Sequence, residues 1–130
     1  MIVRTPYAQM LGIQAVALEP DMVTLMMPAT PQLEGRQGFL YGGVIASLLE
    51  LACLEAVGQE RGDALPWPKP INMSFDFLRG GLMVTSYAQA RLSRVGRQVV
   101  NADALCWQTD RDRPIATGRM HLLVGQEQAG

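Results

Sequence analysis

Residues 42–59 read GGVIASLLELACLEAVGQ and predict one long helix that is apolar on nearly every side. A helix that is hydrophobic all round belongs inside a protein, so the rest of the chain must cover it. Gly42 and Gly43 open this helix, and Glu50 is the single charged residue between Tyr41 and Leu54. The stretch therefore combines a buried scaffold with one carboxylate that needs an explanation.

The segments on either side of this helix predict strands. Thr5 and Pro6 are typical of the start of a short helix, which we expect to end near residue 11. Alternating apolar residues, with turn residues between them, predict a hairpin before the long helix and a four-stranded antiparallel meander after it. The predicted strands lie within residues 13–28, on both sides of a turn at 19–21, and at residues 69–78, 82–94, 97–109 and 114–124.

This pattern predicts an α+β fold, in which a curved antiparallel sheet wraps around one long buried helix. The chain has 130 residues and no linker or repeat, so we expect a single domain over residues 1–130. Apolar residues make up 48% and charged residues 18%, which excludes a disordered chain. A surface this poor in charge indicates that apolar residues are buried against a second copy of the chain.

Several classes of function are disfavoured by composition. The net charge of −1 argues against nucleic acid as the main partner, because phosphate binding usually leaves a basic excess. One histidine, His121, and two scattered cysteines, Cys53 and Cys106, supply neither a disulfide framework nor a metal site. The longest uncharged apolar run is too short to span a membrane and no signal peptide is recognisable, so we expect a reduced, cytoplasmic location.

Glu50 is the strongest candidate for a functional residue. Burying an ionised carboxylate without partners costs several kcal/mol, so such a group neutralises, pairs, or opens onto a cleft where a raised pKa is useful. The alternative is a stray charge on a narrow exposed stripe, shared with Gly43, Ser47 and Leu54 at helical spacing. The free N–H groups at the helix start would stabilise an oxyanion, and Glu50 lies about two turns further along.

The run GFLYGGVIASLLE, from Gly38 to Glu50, resembles the signature of hotdog-fold acyl-CoA thioesterases of the phenylacetate-degradation (PaaI-like) group. That family carries G-x-x-H-G-G, followed seven residues later by Asp or Glu. YAQMLGI at 7–13, NMSFDFLR at 72–79 and AQARLSRVGR at 88–97 are similar to further elements of the family, so the resemblance covers nearly the whole chain.

The resemblance implies a hotdog fold, paired as a dimer or a dimer of dimers, with active sites between subunits. It implies that Glu50 acts as general base or nucleophile on a thioester carbonyl and that the amide of Gly42 or Gly43 binds the carbonyl oxygen. It also implies that Arg94, Gly96 and Arg97 contact the nucleotide of CoA. CoA would enter as part of the substrate, and no metal or redox cofactor is implied.

Two positions depart from the family pattern. Tyr41 stands where the family has His, and it keeps a hydrogen-bonding tip without titrating near pH 7. Gly35 stands where many members have Asn or Gln, so Gln37 or a backbone group would have to hold the substrate or water. Together with Ser47 on the Glu50 face, Gln37 and Tyr41 complete the predicted substrate-binding set.

The sequence thus predicts hydrolysis of an acyl- or aryl-CoA thioester to the free acid and CoA. A second hypothesis is a non-catalytic acyl-CoA or acyl-ligand binding protein on the same scaffold, because the family His and Asn or Gln are replaced. A third hypothesis, a scaffold that uses its sheet only for association, is disfavoured by the expected burial of Glu50.

Overall fold

The computed structural model describes residues 2–19, 22–62 and 68–125. The predicted turn residues Pro20 and Asp21, and most of the turn-rich segment after the long helix, lie outside these ranges. Two 3₁₀ helices, at Ile2–Arg4 and Pro31–Leu33, accompany the regular elements. The helices are α1 (Pro6–Met10) and α2 (Gly42–Arg61), and the strands are β1 (Gln14–Glu19), β2 (Met22–Met27), β3 (Lys69–Phe77), β4 (Ser86–Val95), β5 (Val99–Trp107) and β6 (Ala116–Leu123).

The predicted α+β architecture is confirmed. Six strands form one antiparallel sheet in the order β1-β2-β4-β5-β6-β3, and α2 packs mainly against β4 and β5. Thr5 caps α1, since its hydroxyl accepts a hydrogen bond from the Ala8 N–H. The long helix runs two residues further than predicted, to Arg61.

The predicted four-stranded meander is wrong in one respect. β3 does not pair with β4; it pairs with β6 and forms an edge of the sheet, while β4 lies between β2 and β5. The predicted strand over residues 82–94 also starts late, because β4 begins at Ser86.

The connection between β3 and β4 explains both differences. Instead of turning tightly at Arg79-Gly80-Gly81, it is held by other segments: the Leu40 N–H donates to the Gly81 carbonyl at 2.8 Å, and the Leu82 N–H donates to the Gln108 side chain at 3.0 Å. A Cβ at Gly80 would lie 2.6 Å from the Phe39 ring. The two glycines therefore serve close packing across a long connection, not a hairpin turn.

Small side chains on the inner face of the sheet let α2 approach closely. Ala88, Ala102 and Ala104 are buried there, and a Cβ at Gly118 would lie 3.4 Å from the Cβ of Leu49 on the helix. Eight helix residues are buried as a result: Ile45, Leu48, Leu49, Leu51, Ala52, Cys53, Glu55 and Val57.

By length and composition alone, α2 is apolar enough to cross a membrane, with a mean hydropathy of 1.3. Its position against the sheet gives the simpler reason for that composition, because a core helix needs the same residues.

His121 lies opposite Asn101, and Cys106 lies opposite Ala116. Cys106 and Cys53 are free, buried thiols, and burial raises the pKa of each to about 12. Since neither thiol ionises near neutral pH, neither is a nucleophile. Among the described residues, no group of three or more His, Cys, Asp or Glu side chains is placed to hold a metal ion.

The most deeply buried carboxylate of α2 is Glu55, which is only 3% exposed. One carboxylate oxygen accepts a hydrogen bond from the Ile2 N–H at 3.0 Å, and the other accepts one from the Gln59 side chain at 2.6 Å. Glu55 thereby fixes the chain that leads into α1 against the long helix.

We expect Glu55→Ala to lower the free energy of unfolding by about 1–3 kcal/mol, because the buried Ile2 N–H loses its acceptor. Urea denaturation measures the change, and Glu60→Ala, at an exposed position of the same helix, is the control. Equal stability of the two variants would show that Glu55 does not anchor the N-terminal segment.

Candidate active site

One stripe of α2 escapes burial by the sheet. Gly43, Ser47, Glu50 and Leu54 follow one another at helical spacing, and none of them is buried. The expected shared face of these residues is confirmed. Glu50 is half-buried within it, and desolvation raises the pKa of its carboxyl group above the ordinary value of 4.5. A partly desolvated carboxylate with a raised pKa suits a general base.

The start of α2 presents backbone N–H groups without partners. The N–H groups of Val44 and Ile45 both donate to the Tyr41 carbonyl, at 3.0 and 3.3 Å, whereas those of Gly42 and Gly43 make no hydrogen bond within the described part of the chain. Such free amides at a helix N-terminus stabilise negative charge. Gly42 lines a cleft of about 400 Å³, whose walls include Arg36, Tyr41, Phe77 and Arg79.

Tyr41 and Gly35, the two departures from the family pattern, lie in contact. A Cβ at Gly35 would lie 2.9 Å from Cδ1 of the Tyr41 ring, and a Cβ at Gly43 would lie 2.8 Å from Cε2 of the same ring. The ring therefore occupies the space that two glycines leave open. A longer residue at position 35 would displace Tyr41, which is 62% exposed and covers the side of Gly43.

The helix start and Glu50 do not meet within one protomer. They are eight residues apart, about 12 Å along the helix axis, and Glu50 is not among the residues that line the cleft at Gly42. The cleft at Gly42 therefore does not include the Glu50 carboxylate of the same chain.

The predicted CoA-contact residues do lie together. Arg94, Gly96 and Arg97 line one cleft of about 960 Å³ at the turn between β4 and β5, together with Asn101 and His121. The two guanidinium groups make this cleft suitable for an anionic group. Gln37 is exposed in the loop before α2 and lines neither this cleft nor the one at Gly42.

Tyr7 was not predicted from sequence to belong to the site. Its hydroxyl lies 2.8 Å from the Ser47 hydroxyl, on the Glu50 stripe. The contact joins α1 to α2 across 40 residues, so local patterns in the sequence give no sign of it.

A family model, described as the thioesterase superfamily, matches residues 37–115, which include α2 and the strands β3, β4 and β5. The chain belongs to the thioesterase superfamily. A search of curated protein sequences finds no match.

Solved structures show how far this thioesterase shares its fold. A Chromobacterium violaceum protein is 27% identical, with a TM-score of 0.79 over 98% of this chain and 88% of that one. The Escherichia coli PaaI protein from the phenylacetic acid degradation operon is 21% identical, with a TM-score of 0.81 over 96% and 88% of the two chains. A Bacillus halodurans protein solved with CoA is 19% identical, with a TM-score of 0.82 over 95% and 81%.

These neighbours confirm the hotdog fold. The family match and these structures therefore confirm the predicted thioesterase family and the predicted fold.

The raised pKa of Glu50 predicts how the stability of this thioesterase depends on pH. Because the folded-state pKa lies above the unfolded value, ionisation of Glu50 destabilises the folded protein. The wild type should be most stable relative to Glu50→Gln below the unfolded pKa, and should lose that advantage as the pH rises through the folded pKa. Unfolding free energies of both proteins, measured from pH 4 to pH 8, test this. A constant difference across that range would contradict it.

Proposed function

We propose that the protein hydrolyses an acyl- or aryl-CoA thioester to the free acid and CoA. The observation that carries the proposal is Glu50, which is half-buried and has a raised pKa. It lies on an unburied stripe of a core helix whose first two amides make no hydrogen bond among the described residues. Superfamily membership supports thioester hydrolysis as the class of reaction. Aryl thioesters are included because the fold is shared with a protein of the phenylacetic acid degradation operon.

The reaction centre lies between two protomers. The Gly42 amide and Glu50 are about 12 Å apart along one helix, which favours a site that combines the amide of one protomer with the carboxylate of its partner. The strand β3 supports a dimer, because it lies at an edge of the sheet formed by the described strands and exposes Ile71 and Phe77 by 53% and 54%. Edge strands of this length are ready to pair with another chain.

Hydrolysis then follows from the placement of these groups. The Gly42 N–H donates a hydrogen bond to the thioester carbonyl oxygen and stabilises the oxyanion as it forms, with Gly43 as a second donor. The ionised Glu50 of the partner accepts a proton from water, whose oxygen bonds to the carbonyl carbon. The carbon–sulfur bond breaks, and Glu50 returns the proton to the thiolate of CoA. If Glu50 attacks directly, its carboxylate bonds to the carbonyl carbon and the carbon–sulfur bond breaks, so CoA leaves as a thiolate that takes a proton from solvent. Water then cleaves the resulting anhydride to the free acid and restores Glu50.

Arg94 and Arg97 bind the phosphates of the CoA nucleotide, with Gly96 letting the backbone approach. Their shared cleft supports this role, and so does the fold similarity to a protein solved with CoA. Tyr41 lies beside Gly42 and contacts the thioester end of the substrate. Ser47, whose hydroxyl donates to the Gly43 carbonyl at 2.9 Å, contacts the substrate beside Glu50.

A non-catalytic acyl-CoA binding protein is the second candidate. Tyr41 favours this candidate, because it replaces the family His and its ring covers one side of Gly43, next to the amides that are proposed to bind the carbonyl oxygen. A binding protein would hold intact acyl-CoA for hours, whereas a thioesterase would release CoA.

We expect the wild type to release thiol from at least one of a panel of short, medium, long and aryl CoA thioesters. Glu50→Ala and Glu50→Gln should lower turnover by about 100-fold or more, because they remove the base or nucleophile. Glu60→Ala is the control on the same helix. Unchanged turnover in folded Glu50→Ala would refute the assignment, and tight binding of intact acyl-CoA without turnover by the wild type would support the binding protein.

The shared site predicts complementation between two inactive variants. Gly42→Pro removes the N–H while its ring suits the first turn of a helix, and Gly42→Ala keeps the N–H with only an ordinary contact to Phe77 at 3.8 Å. Gly42→Pro and Glu50→Gln should each be inactive alone. When their subunits are exchanged in equal amounts, about a quarter of wild-type activity should return, because each mixed dimer carries one intact site.

Gly42→Ala keeps the backbone N–H and should stay active. It therefore shows whether Gly42→Pro is inactive because the N–H is missing or because glycine has been replaced. Mixed dimers without any recovered activity would show that both groups act from one chain.

A further inference from the structure

A chain of two hydrogen bonds joins α1 to the Glu50 stripe. The Ser47 hydroxyl has one hydrogen, and it donates this to the Gly43 carbonyl at 2.9 Å. In the 2.8 Å contact between Tyr7 and Ser47, the Tyr7 hydroxyl must then be the donor. Tyr7 is thereby held at a defined place on the stripe, one helical turn before Glu50.

The segment that carries Tyr7 is itself anchored. Thr5 caps α1, and the buried Glu55 carboxylate holds the Ile2 N–H just before it. The Ile2–Glu55 and Tyr7–Ser47 contacts thus fix α1 against α2 before any ligand binds. A wall built on such a segment is preorganised and costs little to order on binding.

The outward face of α1 is apolar and uncovered in the protomer. Tyr7 is 47% exposed and Met10, one turn later on the same face, is 70% exposed. Large apolar side chains left exposed together mark a contact site for a ligand or another chain.

We propose that Tyr7 is a specificity-determining residue, whose ring forms a wall for the acyl group of the thioester that reacts at Glu50. This inference rests on the proposed function. Ser47 and Glu50 lie one turn apart, with about 5–6 Å between their Cβ atoms. An acyl group that leaves the carbonyl along the stripe therefore passes the Tyr7 ring, and Met10 extends the same apolar surface.

Binding of inert analogues tests this without requiring catalysis. Calorimetry would give the dissociation constants of CoA and of S-octyl-CoA, a thioether that cannot be hydrolysed. The dissociation constant of CoA divided by that of S-octyl-CoA measures how much the acyl chain adds to the affinity of the nucleotide. We expect Tyr7→Ala to lower this ratio by about tenfold, the effect of losing one good apolar contact in a pocket, while the affinity for CoA itself is unchanged.

Matched variants distinguish the effect of the Tyr7 ring from that of the hydrogen bond between Tyr7 and Ser47. Tyr7→Phe and Ser47→Ala each remove the hydrogen bond but keep the ring, so both should lower the ratio by a smaller and similar factor. The double variant should be no worse than either alone, because the two changes remove one interaction. Gln9→Ala, at an exposed position next to Tyr7's face of α1, should leave the ratio unchanged.

A folded Tyr7→Ala protein with the wild-type ratio would overturn the proposal and leave the proposed hydrolysis intact. A change in oligomeric state with an unchanged ratio would place Tyr7 in a protein interface and would also overturn it. If Tyr7→Ala does not fold, an unchanged ratio in Tyr7→Leu, which removes the ring but keeps an apolar side chain, would do the same. A wild type that neither hydrolyses any CoA thioester nor prefers S-octyl-CoA to CoA would refute the proposed function, and this inference with it.

Discussion

The close approach of α2 to a sheet of small residues shapes everything else in this protein. Ala102, Ala104 and Gly118 leave room for the helix, so that leucine and isoleucine side chains fill most of its circumference. Polar side chains of α2 that could act on a substrate must then lie on the part of the helix that the sheet leaves uncovered. Glu50 lies on that uncovered stripe, and partial desolvation by the same packing raises the pKa of its carboxyl group.

The length of that helix also separates the two groups that the chemistry needs. Its free amides are at Gly42 and Gly43, while its carboxylate lies about 12 Å along the axis. A rigid helix keeps them apart, which supports the proposal that the active site combines two copies. The edge strand β3 offers a way to form that pair, and the apolar composition of the chain agrees with it. The proposed chemistry would then require an oligomer.

Patterns within single elements were predicted well from sequence. Apolar residues on all sides of residues 42–59 predicted the core helix, and Thr5 with Pro6 predicted the start of α1. The pairing of β3 was predicted wrongly, because Arg79-Gly80-Gly81 resembles a hairpin turn. Those glycines instead make room for Phe39 and for the side chains of Ile45 and Ile115, which lie far away in sequence.

In the candidate site, too, features within one element were predicted from sequence, whereas contacts between elements were not. Glu50 was found because it interrupts an apolar run, yet Glu55, with similar neighbours, is more deeply buried and has an anchoring role. Only the position of each residue around the helix distinguishes them. Tyr7 was missed because its partner Ser47 lies in another element, and the contact between Tyr41 and Gly35 depends on the path of a loop. Contacts between elements are set by packing, which residue patterns do not encode locally.

The central claim is that one reaction centre combines the Gly42 amide of one protomer with the Glu50 carboxylate of another. A crystal structure with an inert ketone analogue, in which a methylene separates the carbonyl from the sulfur of CoA, tests it most directly. The account predicts the ketone oxygen within about 3 Å of the Gly42 nitrogen, with the Glu50 carboxylate of the second protomer beside the carbonyl carbon. A ketone bound away from Gly42, or one reached by Glu50 of the same chain, would contradict the account.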